Sequence, residues 1–150
     1  MKSLADPEAR ISARKRLDPL TKRQRSERMT RIRSRDTQPE LALRKLVFSL
    51  GYRYRLHDGR LPGRPDLVFS SRRSVIFMHG CFWHQRSCDT YRQPTSRAWF
   101  WSQKLTGNVL RDAEVRKRLT HEGWRSLVVW ECELRANPVK LAWRLIRFLQ

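Results

Sequence analysis

Acidic residues are scarce in this sequence: 14 Asp and Glu stand against 33 Lys and Arg in 150 residues, a formal net charge of +19. A chain this one-sided repels itself, and the usual reason to carry such charge is a polyanionic partner. Nucleic acid comes first, because neutralising phosphates releases condensed counterions; a membrane surface comes second. Long apolar runs are also missing. None approaches the length that spans a bilayer, and the opening MKSLADPEARIS has no apolar signal core. These absences predict a soluble, cytoplasmic protein with no membrane partner. Cysteine is sparse, with only Cys81, Cys88 and Cys132. An odd number without a signal peptide argues against a disulfide framework and leaves thiols or metal ligands. No internal repeat is visible. Hydrophobic residues make up 39%, enough for one core at this length.

Residues 1–20 carry no sustained apolar period and read as a flexible basic tail, leaving 21–150 as one domain. Thr21 to Arg35 reads as a short basic helix containing Met29 and Ile32. The next helix is better marked. Thr37 and Glu40 form a capping-box pattern with Pro39 in the first turn, Leu43, Leu46, Val47 and Leu50 follow at helical spacing, and Gly51 closes it. Tyr52 to Leu56 reads as an edge strand, and His57 to Pro65, with two glycines and two prolines, as a loop. Asp66–Ser70 and Ser74–His79 are short apolar runs around Arg72 and Arg73, the pattern of a β-hairpin. Residues 80–94 are irregular. Ser96 to Glu122 has a helical pattern with an expected interruption near Gly107, Trp124–Trp130 reads as a strand, and Pro138 opens an amphipathic helix. Helix, strands, helix, strand, helix is the order of an α/β chain with one mixed sheet flanked by helices.

Several groups of residues could carry chemistry. Asp66 stands at the start of a buried strand, aimed by Pro65, where a carboxylate can hold Mg²⁺. Taken alone the Pro-Asp pair is more often a plain strand start. His79 and His84 flank a turn directly after the second strand and titrate near neutrality, as a proton acceptor must. Phe82, Trp83, Trp99, Phe100 and Trp101 crowd a basic, loop-rich stretch, and large apolar side chains can wedge between bases or stack on them. Trp124, Trp130 and Trp143 lie on regular strand or helix patterns and read as core. Cys81, Cys88 and Cys132 offer three corners of a tetrahedral zinc site, though their spacing alone favours three buried thiols.

The run Leu61-Pro62-Gly63-Arg64-Pro65-Asp66, then Val75-Ile76-Phe77 and His79-Gly80-Cys81-Phe82-Trp83-His84, resembles the very short patch repair (Vsr) endonucleases. Met29 to Thr37, Phe100-Trp101, Asn108 to Asp112 and Val129-Trp130-Glu131-Cys132 extend the likeness over about residues 22–135. The resemblance implies a restriction-endonuclease-like α/β fold of the PD-(D/E)XK type, and a monomeric bacterial enzyme that acts on the nucleoid. Its reaction would nick one strand 5′ of the thymine in a T·G mismatch left by deamination of 5-methylcytosine. It implies Mg²⁺ on Asp66 and a backbone carbonyl near Met78, a second Mg²⁺ at the leaving oxygen, His84 as general base, His79 at the phosphate, and Glu40 in support. Phe82, Trp83 and Trp101 would form the DNA wedge, with Met29 reaching the minor-groove side. Zn²⁺ would sit on Cys81, Cys88 and Cys132. Family members work with MutL-type repair proteins, which makes such a protein an expected partner.

Two departures stand out. Met78 replaces a family Thr, which matters little if only its carbonyl is used. Arg86 stands where the family carries a histidine ligand to zinc, and a guanidinium has no lone pair to give. Three other readings remain: a basic DNA-binding module without catalysis, a restriction-like nuclease of different target, and a ribosomal-type RNA binder. Asp66 with His79 and His84 argues against pure binders, and T·G against matched duplexes separates the nucleases.

Overall fold

The computed structural model describes residues 21–31, 35–89, 91–95 and 97–150. The basic tail expected at 1–20 lies outside them, and so does the side chain of Met29, whose backbone belongs to the first helix. The elements are α1 (Lys22–Arg31), α2 (Gln38–Ser49), β1 (Arg55–Leu56), β2 (Leu67–Phe69), β3 (Ser74–His79), α3 (Ala98–His121), β4 (Arg125–Trp130), α4 (Glu131–Ala136) and α5 (Pro138–Leu149). The strands form one sheet in the order β1-β2-β3-β4. β1 with β2 and β2 with β3 are antiparallel, while β3 and β4 are parallel. The expected mixed sheet flanked by helices is therefore observed. A parallel pair needs a long crossover, and residues 80–124 supply it through α3.

Side chains alternate across a strand, so the sheet has two apolar faces. Leu67, Phe69, Ile76 and Val129 face one core with Leu43 and Val47 of α2 and Leu141, Leu145 and Leu149 of α5. Val68, Val75 and Phe77 face the other with Leu119 of α3, against Leu61, Val115, Trp124 and Val128. Each fully buried leucine contributes about 1.5–3 kcal/mol. The same alternation puts Asp66 in line with Val68, His79 with Phe77, and Trp130 with Val128. Polar groups at the strand ends thus share the α3 side of the sheet.

Three expectations are corrected. The helix over Ala98–His121 is continuous, with nothing within 4 Å of the space a side chain at Gly107 would fill. One glycine costs such a helix only about 1 kcal/mol, which its packing absorbs. Trp143 is 63% exposed on α5 rather than core, because the packed stripe of that helix runs through Leu141, Leu145 and Leu149. Thr37 caps α2 in an altered way. Its hydroxyl donates to Glu40 Oε1 at 2.9 Å and the Asp36 N–H donates to Glu40 Oε2 at 2.9 Å, so the glutamate collects the donors while the threonine accepts none.

The loop before β2 is fixed by its turn residues. Arg64 N–H donates to the Leu61 carbonyl at 3.2 Å around Pro62 and Gly63, and Gly63 has φ 73°. Proline then glycine at those positions, with positive φ at the second, is the pattern of a type II turn. A Cβ on Gly63 would lie 2.5 Å from Val115 Cγ1. Gly63→Ala is therefore expected to cost about 2–4 kcal/mol from left-handed backbone and overpacking together. Urea unfolding should show the lower midpoint, with Val115→Ala recovering the steric part in the double variant; an unchanged midpoint would contradict the close approach.

Candidate active site

Asp66 is the first polar group placed by the hairpin. The register Leu67↔Ile76 brings the residue before β2 beside the end of β3, and Met78 N–H donates to Asp66 Oδ2 at 2.7 Å. Its side chain is 18% exposed. Burial is the largest influence on it and, with nearby Glu40, raises its pKa to about 6, despite the Met78 N–H, which favours the charged form. Keeping this group charged above pH 6 without a cation costs about 3 kcal/mol.

The second centre forms where β3 ends. His79 and His84 stack with ring centroids 3.7 Å apart and planes 10° apart. Asp112, from the middle of α3, lies with Oδ2 2.5 Å from His84 Nδ1 and 3.9 Å from His79 Nδ1. A carboxylate only accepts, so the proton of His84 sits on Nδ1 and Nε2 keeps its lone pair. His79 is buried; that burial, followed by the neighbouring His84, lowers its pKa to about 4, so it is neutral at pH 7. Trp130 stands edge-on to His79 at 5.3 Å, held there by the register His79↔Trp130. A cleft of about 380 Å³ joins the two centres, lined by Asp66, His79, His84 and Asp112 together with Arg35, Arg64 and Arg111. Two carboxylates, a positioned proton acceptor and three guanidinium groups on one cleft suit a phosphodiester.

Sequence reading missed Asp112 and the part played by Trp130. Asp112 was visible only as the end of the Asn108–Asp112 run. The available signal was spacing: Asn108 and Asp112 are four apart on one helix face, and Asn108 Nδ2 donates to the Trp83 carbonyl at 3.0 Å while Asp112 meets His84. Trp130, read as core, is half-buried against the histidines because strand alternation turns it toward α3. Glu40 is brought near Asp66 rather than to the histidines, and its carboxylate is occupied by Asp36, Thr37 and Arg44.

Phe82, Trp83 and Trp101 do come together, with Phe82 at 5.1 Å from Trp83 and 5.3 Å from Trp101 between ring centroids. Trp99 and Phe100 flank them at 74% and 46% exposure. Lys104 Nζ lies 5.7 Å from the Trp83 ring, placing positive charge on this apolar surface.

The three cysteines also converge, their sulfur atoms within 4.8 Å of one another. Tetrahedral zinc with Zn–S of about 2.3 Å needs sulfurs roughly 4 Å apart, so the donors fit three corners. Among the described residues no fourth His, Cys, Asp or Glu joins them. Arg86 turns elsewhere, to Glu133 Oε1 at 3.3 Å and over the Trp130 ring at 4.7 Å. Glu133 also takes Arg144 at 2.8 Å.

Such a site suits hydrolysis of a phosphodiester, and comparison with known proteins gives the class: a DNA endonuclease. A family model described as "DNA mismatch endonuclease Vsr" matches residues 17–90. The chain is 50% identical over 117 residues to "Type II nicking enzyme V.XorIIP" of Xanthomonas oryzae pv. oryzae, covering 78% of this chain and 86% of that one. It is 46% identical over 113 residues to "DNA mismatch endonuclease Vsr" of Escherichia coli K12, covering 75% and 72%. It is 43% identical to "Type II nicking enzyme V.NmeAIP" of Neisseria meningitidis, covering 81% and 87%. The chain belongs to the Vsr family, and its sheet and helices are that family's restriction-endonuclease-like fold. Among the described residues no helix is long and apolar enough to cross a membrane.

The geometry predicts that Asp112→Asn lowers the single-turnover rate of DNA nicking by about 10²-fold or more, because the amide no longer fixes the His84 tautomer. DNA affinity should hold. A rate within a few-fold of wild type would show that His84 works without this partner.

Proposed function

We propose that this chain nicks one strand of duplex DNA 5′ of the thymine in a T·G mismatch, and that it acts as a monomer. The observation that carries the reading is the His84–Asp112 pair facing Asp66 across one arginine-lined cleft. The E. coli relative named a DNA mismatch endonuclease and the relatives named nicking enzymes support it.

Asp66 would hold Mg²⁺, since a hard cation takes one or two carboxylates and fills its other positions with water and phosphate oxygens. The unfavourable charge burial at Asp66 is what such a cation offsets. When bound it polarises the scissile phosphate and lowers the pKa of coordinated water. His84 Nε2 takes the proton of the attacking water and Asp112 stabilises the resulting imidazolium. Neutral His79 keeps the ring of His84 in place and donates a hydrogen bond toward the phosphate. Arg35, Arg64 and Arg111 offset the charge that gathers on the phosphate oxygens. Phe82, Trp83 and Trp101 enter the duplex as a wedge. A T·G pair stacks and pairs less well than a matched pair, so opening it costs less, and this supplies part of the selectivity. Cys81, Cys88 and Cys132 would hold Zn²⁺ on three sulfurs, bracing the turn that carries the wedge and His84. A MutL-type repair protein fits as a partner.

Asp66→Ala is expected to abolish nicking while leaving the preference for T·G over matched duplex in binding intact. Nicking that survives the substitution, or binding that is blind to the mismatch, would contradict this reading. Because a proton competes for Asp66, the Mg²⁺ concentration needed by the wild type should rise as pH falls through about 6 and level off above it.

A further inference from the structure

On the far side of Asp66 lies a second polar cluster that the reaction above does not use. Arg44 projects from α2 with a side chain only 11% exposed. Its guanidinium meets Asp36 Oδ1 at 2.6 Å, Glu40 Oε2 at 3.3 Å and His57 Nε2 at 3.0 Å. Ligand-type atoms of Asp36, Glu40 and His57 lie within 4.8 Å of one another. The cation they surround is the arginine itself, whose two terminal nitrogens make all three contacts while its buried Nε has no partner.

The consequence falls on His57. Arginine only donates, so Nε2 must accept and the ring proton must sit on Nδ1. Nδ1 faces Asp66 Oδ1 at 4.0 Å, the oxygen opposite to the one bonded to Met78 N–H. That gap is one which a bridging water or a small closure on ligand binding spans. His57 is also held at φ 47°, a left-handed conformation that a non-glycine residue keeps only when its surroundings impose it. The ring lines the same cleft as Asp66 and the catalytic histidines.

We infer that His57, locked by Arg44 as the Nδ1–H tautomer, is the positioning residue of Asp66: it donates to Oδ1, or to a water on it, and fixes the direction in which the carboxylate presents itself to the cation. The inference rests on the reading of Asp66 as the Mg²⁺ carboxylate. Hydrogen-bond partners of a ligating carboxylate are worth about 10–100-fold in metal affinity or activity.

The test has two arms on the full chain. Nitrogen-15 spectroscopy of the histidine side chains should find the His57 proton on Nδ1 in the wild type, moving toward Nε2 in Arg44→Met. Magnesium titration of single-turnover nicking should show His57→Leu needing about 10–100-fold more Mg²⁺. Its rate at saturation and its affinity for the T·G duplex should stay near wild type. His57→Asn, whose amide keeps a donor near Nδ1, should restore most of the Mg²⁺ affinity. A wild-type ring protonated on Nε2, or a His57→Leu enzyme with unchanged Mg²⁺ dependence, would overturn the inference. If the wild type nicked no mismatched duplex, the proposed function would fail. Calorimetric titration of Mg²⁺ into wild type and His57→Leu would still decide the inference: weaker binding in the variant supports it and equal binding overturns it.

Discussion

The pairing of β3 on both its edges sets where the polar groups at the end of the sheet stand. Its antiparallel register with β2 delivers Asp66 to the N–H of Met78. Its parallel register with β4 sets His79 beside Trp130 and starts α4, with Cys132, directly beyond. A slip of one residue would send His79 and Trp130 to the opposite face, away from α3 and Asp112. The two apolar cores hold the register, because the same slip would expose Val75 and Phe77 or Leu67 and Ile76 to the wrong layer. Packing on each face of the sheet thus fixes the chemistry at its end.

Charge at the site is balanced in layers. Asp66 is buried and costly to ionise, which suits a group that receives a cation. Asp112 faces two histidines, of which buried His79 is kept neutral. Glu40 and Asp36 share the single guanidinium of Arg44. Arginines on the cleft wall face outward to the polyanion that the scarcity of acidic residues first suggested. The turn between β3 and α3 carries Cys81 and Cys88, which converge with Cys132, and Arg86 reaches from it to Glu133 and Trp130. Arg86 therefore ties that turn to α4, next to Cys132, through an ion pair.

Much of this was legible in the sequence. Short apolar runs located β2, β3 and β4, and Thr37, Pro39 and Gly51 bounded α2 because their conformational preferences are local. Asp66, His79 and His84 were found because motif and strand ends coincide. What stayed hidden depends on partners distant in sequence. Asp112 gains meaning only when the crossover lays α3 over the strand ends, and His57 only when Arg44, 13 residues earlier, reaches it. Trp143 was misread because an amphipathic helix pattern does not say which of its large side chains lies at the margin of the buried stripe. The break expected at Gly107 failed because one glycine is a weak signal against a helix of 24 residues.

The central claim is that the two carboxylate centres act on one phosphate beside a mismatched thymine. The most direct measurement is a nicking assay with purified full chain, Mg²⁺ and an end-labelled duplex carrying one T·G pair in several flanking sequences, alongside its matched counterpart. A single nick 5′ of the thymine, absent from the matched duplex and abolished by EDTA, is the expected result. Equal cutting of both duplexes, or no nick in any context while the DNA is still bound, would contradict it.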